Sequence, residues 1–511
     1  MNSSFLGRCA AATLAVACVL GSGCARADDP VPAVAPAVAA PVSFPVSPPP
    51  LTVGEIELIV NALDGAPDQG FEPGEFDPAP ARALLASDDP ADREKGEALL
   101  RAQVVAYASA QHGGRLAVAS FPRQWAIRPA PYAAAAELDA ALAEDRLATW
   151  LASLAPSHAR YARLVEAYAR YRAIAAAGGW PQVPAGKPLK PGDVDPRVEI
   201  LRNRLKVEDP TVEIPEFGHP AVESPVDRQI AGPPPGADVY DEALKAAVAR
   251  AQDRYGLNAE GVIGPSTVAA LNVSAETRVQ QIALNLERWR WAPRALAPER
   301  VELNIPAAWL DAYEAGRPVL SMRAVVGRPR DRTPSFIDEI DAVVFFPPWN
   351  VPPTIAANEV WPKIRGRPGY MARERYVVRP NGGLQQLPGP KSALGLVKFD
   401  MSNPFGVYLH DTPSKSLFAR EARYFSHGCM RLQKPYDLAK WALRTDPAWP
   451  AQTVDRELAG PVATLRTPLA RPISVYVLYV TASVDEAGEV SFFSDPYGWD
   501  AKLAAMLGDA R

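Results

Sequence analysis

One cysteine and two histidines stand close together late in the chain, in Val407-Tyr408-Leu409-His410-Asp411-Thr412 and Phe425-Ser426-His427-Gly428-Cys429-Met430-Arg431-Leu432. A thiol at its free pKa is only a few per cent ionised near neutral pH, so a nucleophilic cysteine needs a neighbouring base. His410, at the end of an apolar run that reads as a strand, supplies one if the loop 412–424 folds back. Ser426-His427-Gly428 reads as a tight turn that can direct backbone N–H groups at a developing oxyanion, and Gly428 lets a substrate approach closely. The chemistry within reach of such a set is acyl transfer through a thioester. Two other readings stay open at this point: a buried, inert cysteine, and a zinc site built from His410, His427 and Cys429. No C-x-x-C, H-E-x-x-H or nearby Glu ligand accompanies the three, so no metal is expected. His112, His158 and His219 lie in earlier segments and read as surface or core residues.

The rest of the chain sharpens the reading of that thiol. Arg8, the apolar run 9–20 and Ala25-Arg26-Ala27 have the form of a cleaved secretory signal, with a mature start at Asp28. The rival is a lipoprotein signal with Cys24 as the lipidated residue, although Gly21 stands where a lipobox usually has Leu. Three of the four cysteines, Cys9, Cys18 and Cys24, lie in this leader, so cleavage leaves Cys429 alone. A single thiol makes no internal disulfide, and in an oxidising compartment it is a liability unless it works. The run 9–20 is too short to span a bilayer, and no stable membrane span is expected. The net charge of −4 and the lack of a Lys/Arg cluster argue against nucleic acid as a partner.

With 511 residues the chain is too long for one core, and its 54 prolines must sit mostly in linkers and turns. The pattern divides it into a leader (1–27), a Pro/Ala-rich disordered tether (28–50) and a helical scaffold (51–185). The scaffold's Ala-rich runs 134–154 and 159–177 carry apolar residues at helical spacing and no chemical motif. A three-helix unit follows (186–275), with Asp195 capping and Pro196 opening the first helix, a Pro-rich loop, a helix over 240–255, and a third starting at Pro265 or Ser266. An amphipathic helix (276–296), with Val279, Ile282, Leu286 and Trp289 on one stripe, leads into a β-rich domain (297–500). Short β-branched runs at 301–305, 319–326, 342–346, 396–399, 407–410, 473–481 and 490–493 predict its strands, and 355–364 and 434–443 its helices. Residues 501–511 read as a tail. The fold class is α+β and multidomain.

The segment Ser426-His427-Gly428-Cys429-Met430-Arg431, preceded by His410-Asp411, resembles the signature of the L,D-transpeptidase catalytic domain. The likeness extends to Val326-Gly327-Arg328, Thr333-Pro334, Trp349-Asn350-Val351-Pro352-Pro353, Pro368-Gly369-Tyr370 and Pro388-Gly389-Pro390-Lys391-Ser392-Ala393-Leu394-Gly395. Those segments are similar to the large multidomain branch, in which a capping insertion, here about 353–395, precedes the His-Asp strand. Gly256-Leu257-Asn258-Ala259-Glu260-Gly261 through Asn272 likewise resembles the end of a peptidoglycan-binding module, with Glu260 where Asp is usual. The resemblance implies Cys429 as acylated nucleophile and His410 as its base. It places Tyr408 and the backbone at Gly428 and Cys429 around the oxyanion, and gives Ser426 and His427 the task of organising the turn. Arg431 anchors the turn or meets a substrate carboxylate, Trp349 and Asn350 line the cleft, and Asp411 offers only its carbonyl. It further implies peptidoglycan glycan and stem peptides as partners, no cofactor, a periplasmic setting and carbapenem β-lactams as inhibitors. The implied reaction releases D-alanine from a stem tetrapeptide and forms a 3→3 cross-link. The same residues also fit an L,D-carboxypeptidase, a lipoprotein-anchoring enzyme, or a non-catalytic wall-binding protein.

Overall fold

A computed structural model describes residues 49–212 and 236–509. The expected leader, Cys24, nearly all of the tether and the Pro-rich loop inside the three-helix unit lie outside the described residues. No described helix is long and apolar enough to cross a membrane.

The first half is helical, as its spacing predicts: α1 (Val53–Asp64), α2 (Ala79–Leu85), α3 (Pro90–Gly113), α4 (Ala134–Ala143), α5 (Leu147–Ser153) and α6 (Ala159–Ala176). Their starts are chemically marked. Thr52 and Glu55 form a reciprocal capping box on α1, and Asp89 caps α3 ahead of Pro90. The run 134–154 is two helices rather than one, because Asp145 between them adopts a positive φ of 52° and breaks the ladder. In the three-helix unit, α7 (Arg197–Glu208), α8 (Glu242–Arg254) and α9 (Pro265–Leu271) are present. The first starts one residue later than expected: Pro196 occupies the cap position, and Asp195 accepts the Arg197 N–H at 2.9 Å. The helix α10 (Ala275–Trp291), capped by Ser274, buries Ile282, Leu286 and Trp289 as its stripe predicts.

Beyond α10 come β1 (Arg300–Asn304), β2 (Trp309–Glu314), β3 (Arg317–Gly327) and β4 (Phe336–Phe345). The insertion starts earlier than the expected 353 and holds β5 (Trp349–Asn350), α11 (Pro353–Ile355), a π-turn at Ala356–Val360, α12 (Trp361–Gly366), α13 (Tyr370–Arg373), β6 (Tyr376–Val378) and β7 (Leu384–Gln386). The chain then returns through β8 (Val397–Met401), β9 (Leu409–His410), β10 (Tyr424–Ser426), β11 (Met430–Leu432), α14 (Pro435–Leu443), α15 (Ala451–Ala459) and β12 (Leu465–Leu478). It ends with the hairpin β13 (Ala482–Val484)–β14 (Val490–Phe492) and α16 (Trp499–Asp509). The main sheet has nine strands in the order β10-β3-β11-β9-β8-β4-β12-β1-β2, and the insertion folds its own three-stranded sheet, β5-β7-β6.

The cores do not follow the divisions read from the sequence. The helices α1 to α5 pack on one another through Ile59, Leu100, Leu138 and Trp150. The helix α6 instead shares a core with α7 to α10, where Tyr171, Leu201, Val248 and Leu286 meet. The hairpin β13–β14 enters that same core with Val484, Val490 and Phe492. The loop between α3 and α4, expected as scaffold, joins the main sheet instead: Trp125 and Ile127 are buried in its core, and the Ala126 N–H reaches the Ser335 carbonyl at 2.8 Å. The expected C-terminal tail is largely the helix α16, because Leu503 and Leu507 bury against the sheet's core once they share one face.

Candidate active site

The strand β9 lies between two neighbours and fixes the site by register. It pairs antiparallel with β8, setting His410 opposite Lys398, and parallel with β11, setting His410 beside Arg431. The Met430 N–H donates to the Tyr408 carbonyl at 3.0 Å, which brings Cys429 alongside Tyr408. The strands β10 and β11 flank β3, so Ser426-His427-Gly428-Cys429 crosses the end of β3 at Gly327. Three groups tie that crossing. Gly428 has φ +111°, a conformation L side chains rarely adopt; its carbonyl accepts from Thr333 Oγ1 at 2.8 Å. The Gly327 N–H donates to the same Oγ1, and the Tyr497 hydroxyl donates to the Gly327 carbonyl at 2.7 Å. The Gly428 N–H donates to Ser426 Oγ at 3.1 Å. The expected oxyanion donors were the backbone around Gly428 and Cys429; of these, the Gly428 N–H is engaged by Ser426.

Around the sulfur, the Tyr408 backbone N–H and phenol are the hydrogen-bonding partners. Burial pushes the half-buried Cys429 thiol up, and these bonds with the Arg431 and Lys398 charges offset only part of the rise. Burial likewise raises the Tyr408 phenol, keeping it a protonated donor. His410 is 4% exposed, and its Nδ1 lies 2.5 Å from the Asp411 carbonyl oxygen. A carbonyl only accepts, so Nδ1 carries the proton and Nε2 keeps its lone pair. Burial first, then the Arg431, Lys398 and Lys415 charges, push His410 down from 6.5 to about 3, so the ring is neutral at physiological pH.

Asp411 is 2% exposed, and its side chain serves as a clamp. Oδ1 accepts from the Thr412 N–H and Lys415, and Oδ2 from the Leu396 N–H at 2.8 Å and the Tyr436 hydroxyl at 3.1 Å. Sequence reasoning gave Asp411 only its carbonyl; the clamp was missed, as were Thr333, Tyr436 and Tyr497. Gly395, at φ +61°, makes room for it, since a Cβ there would stand 2.2 Å from Asp411 Oδ2.

His427 points to the insertion. Its Nε2 contacts Glu359 Oε1 at 2.6 Å and also Arg328, which itself reaches Glu359 at 3.2 Å. Glu359 sits on the π-turn, and despite partial burial its bonds to His427 and Arg328 hold its carboxyl below the usual range. With His427 committed there, the two histidines and Cys429 do not converge as ligands, and no group of three or more potential metal ligands occurs among the described residues. The Arg431 guanidinium is mostly buried, and its Nε has no hydrogen-bond partner among the described residues. Trp349 packs on the insertion's small core, and Asn350 Oδ1 accepts from Gln385 at 2.7 Å and Arg379 at 3.3 Å. The partners of both lie inside the insertion rather than around the sulfur.

Comparison with known proteins fits this arrangement. Residues 298–454 match the family described as "L,D-transpeptidase catalytic domain", 53–167 "Scaffold domain" and 229–271 "Putative peptidoglycan binding domain". A "Putative L,D-transpeptidase" of Haemophilus influenzae is 31% identical over 244 residues, covering 44% of this chain and 49% of the relative. The match thus spans about half the length of that curated relative. Solved L,D-transpeptidases from Mycobacterium smegmatis (18% identity, 36% of this chain, 59% of that one, TM-score 0.20) and Stackebrandtia nassauensis (15%, 58%, 96%, 0.23) are more remote. Residues 298–454 are thus similar to the L,D-transpeptidase catalytic domain, and the segments ahead of them to a scaffold domain and a peptidoglycan-binding domain.

Proposed function

We propose that the protein is a peptidoglycan L,D-transpeptidase that works through Cys429, and that it is exported to the periplasm. The observation that carries this reading is the buried, neutral His410 with its proton fixed on Nδ1, one strand from the thiol. His410 Nε2 takes the Cys429 proton as sulfur attacks the carbonyl of the L,D bond between stem residues three and four. The oxyanion is met by the Tyr408 hydroxyl, a donor that burial keeps protonated. Collapse breaks the peptide bond, and the imidazolium returns the proton to the leaving amine of D-alanine, leaving a thioester. The side-chain amine of a second stem peptide then attacks, His410 takes its proton, and the thiolate departs to recover that proton. The product is a 3→3 cross-link. Arg431, whose Nε has no partner among the described residues, is suited to a stem-peptide carboxylate.

The insertion favours transfer over hydrolysis. It is tied at Glu359 to His427, two residues from the nucleophile, and a cover there excludes water from the thioester. The full chain, incubated with disaccharide tetrapeptides, is expected to give a cross-linked dimer lacking one D-alanine, and Cys429→Ala none. Cross-linking by Cys429→Ala would overturn the mechanism, and tripeptide as sole product would make the enzyme a carboxypeptidase.

A further inference from the structure

The outer face of β2, a strand paired with both β1 and β3, carries a cleft that none of this chemistry uses. Along β2, Leu310 and Ala312 point into the core, so Trp309, Asp311 and Tyr313 face the other way. Register sets Trp309 opposite Arg323 and Asp311 opposite Ser321 on β3. Trp309, Asp311, Tyr313 and Arg323 line a cleft of about 420 Å³. So does the turn Gly256-Leu257-Asn258, inside the segment that matches the peptidoglycan-binding family. Ser483 and Ser491, a directly opposed pair on the β13–β14 hairpin, also line it.

Its free groups are neutral or hydroxyl-seeking. The Trp309 side chain is 37% exposed, a large apolar surface on an otherwise polar wall. Asp311 Oδ1 accepts from Ser321 and from the Trp309 indole at 3.0 Å, leaving Oδ2 to a ligand. Each arginine of the cleft makes at least one hydrogen bond within the protein, although the Arg423 Nε has no partner among the described residues. Arg160 holds Glu302 and Tyr313, Arg423 holds the Arg420 and Ala307 carbonyls, and Arg323 holds the Phe418 carbonyl. A pyranose has an apolar C–H face that stacks on an indole and an equatorial rim of hydroxyls that donate to carboxylates. An anionic peptide would have to draw Arg160 from its carboxylate partner Glu302.

We propose that this junction cleft binds the glycan backbone of a peptidoglycan strand, with a sugar ring on Trp309 and its hydroxyls on Asp311, Asn258 and the serine pair. The site lies apart from Cys429 and joins the module's turn to the catalytic sheet. This inference rests on the proposed reading of the substrate. The wall strand then lies against two domains at once, and the gain is in local substrate concentration rather than in chemistry.

The test uses the full chain and peptide-free glycan strands prepared by amidase digestion, with affinity read by titration calorimetry. Trp309→Ala is expected to weaken binding about three- to tenfold, and Trp309→Phe to restore most of it. Asp311→Asn, a near-isosteric change, guards against a folding defect in the first variant, and it too should weaken binding. Turnover of soluble tetrapeptides should be unchanged in all three. Wild-type glycan affinity in both Trp309→Ala and Asp311→Asn would overturn the proposal, as would binding of free stem peptides but not of glycan. Loss of tetrapeptide turnover in the wild type, with glycan binding intact, would instead overturn the catalytic reading and leave this site standing.

Discussion

The strand pair proposed to carry the chemistry and the insertion beside it are held by different means. His410 and Cys429 are placed by main-chain pairing inside a nine-stranded sheet, and every neighbour of β9 is itself a paired strand. The insertion folds around a small core of its own, Val351, Val360, Tyr376 and Leu384, and meets the catalytic turn through the Glu359–His427–Arg328 cluster. Partly exposed ion pairs of this kind contribute about 0–1 kcal/mol, whereas displacing a buried strand disrupts a ladder and a core together. The molecule fixes the reacting atoms rigidly and ties the cover lightly. That division suits the proposed transfer of an acyl group to a large amine.

Changes at the strand pair should therefore cost most. His410→Ala is expected to slow thioester formation, read as a meropenem adduct by intact-mass spectrometry, by a factor on the order of 10²–10⁴. An adduct forming at the wild-type rate would remove His410 from the mechanism. Cys429→Ala should give no adduct, since the lactam carbonyl would have no sulfur to acylate.

Next comes the clamp. Gly395→Ala places a methyl group against Asp411 Oδ2 in a left-handed backbone, and should destabilise the fold by about 2 kcal/mol or more while misplacing His410. Thermal unfolding together with adduct formation reads both effects. Stability without loss would mean that the clamp gives way freely.

The pH dependence separates burial from register. The folded His410 titrates near 3 against an ordinary 6.5, so between those values the unfolded chain binds the extra proton. Its contribution is complete above pH 6.5 and is lost as pH falls toward 3, with a slope of at most about 1.4 kcal/mol per pH unit. His112, also pushed down by burial, to about 4, adds to the same window, so the comparison is wild type against His410→Gln. Equal slopes in urea unfolding would show that His410 is not buried neutral. Adduct formation should rise with pH beyond the ordinary thiol range, because burial holds the Cys429 thiol up. Its plateau belongs to the coupled Cys429–His410 pair.

The smallest effect is expected at the cover. Glu359→Gln should leave the melting temperature nearly unchanged and shift the partition of the thioester from amine toward water by about two- to fivefold. An effect as large as that of His410→Ala would show that the cover, too, positions the reacting atoms.

What was legible in the sequence was whatever short spacing encodes. The strand ending at His410 and the turn into Cys429 could be read from adjacent residues. The Asp145 break, the burial of the 116–127 loop and the packing of α16 depend on partners far along the chain, and no local pattern announces them. At the site, the roles of Thr333, Tyr436 and Tyr497 were hidden for the same reason, since each acts on a backbone group or carboxylate distant in sequence. Trp349 and Asn350 were named from a motif as lining the cleft; Trp349 packs on the insertion's small core and Asn350 is hydrogen-bonded within the insertion.

The hairpin β13–β14 has a further consequence. Although it lies near the end of the chain, it is a plug in the core shared by α6 to α10, with Arg254 of α8 paired to Glu489 at its tip. A fragment beginning at residue 297 would carry Val484, Val490 and Phe492 as an exposed apolar tongue, and one ending at residue 296 would have an empty socket. The portions that look like interchangeable beads on a string are thus interlocked. Grafting a different wall-binding head onto this catalytic body would require transplanting the tongue with its socket.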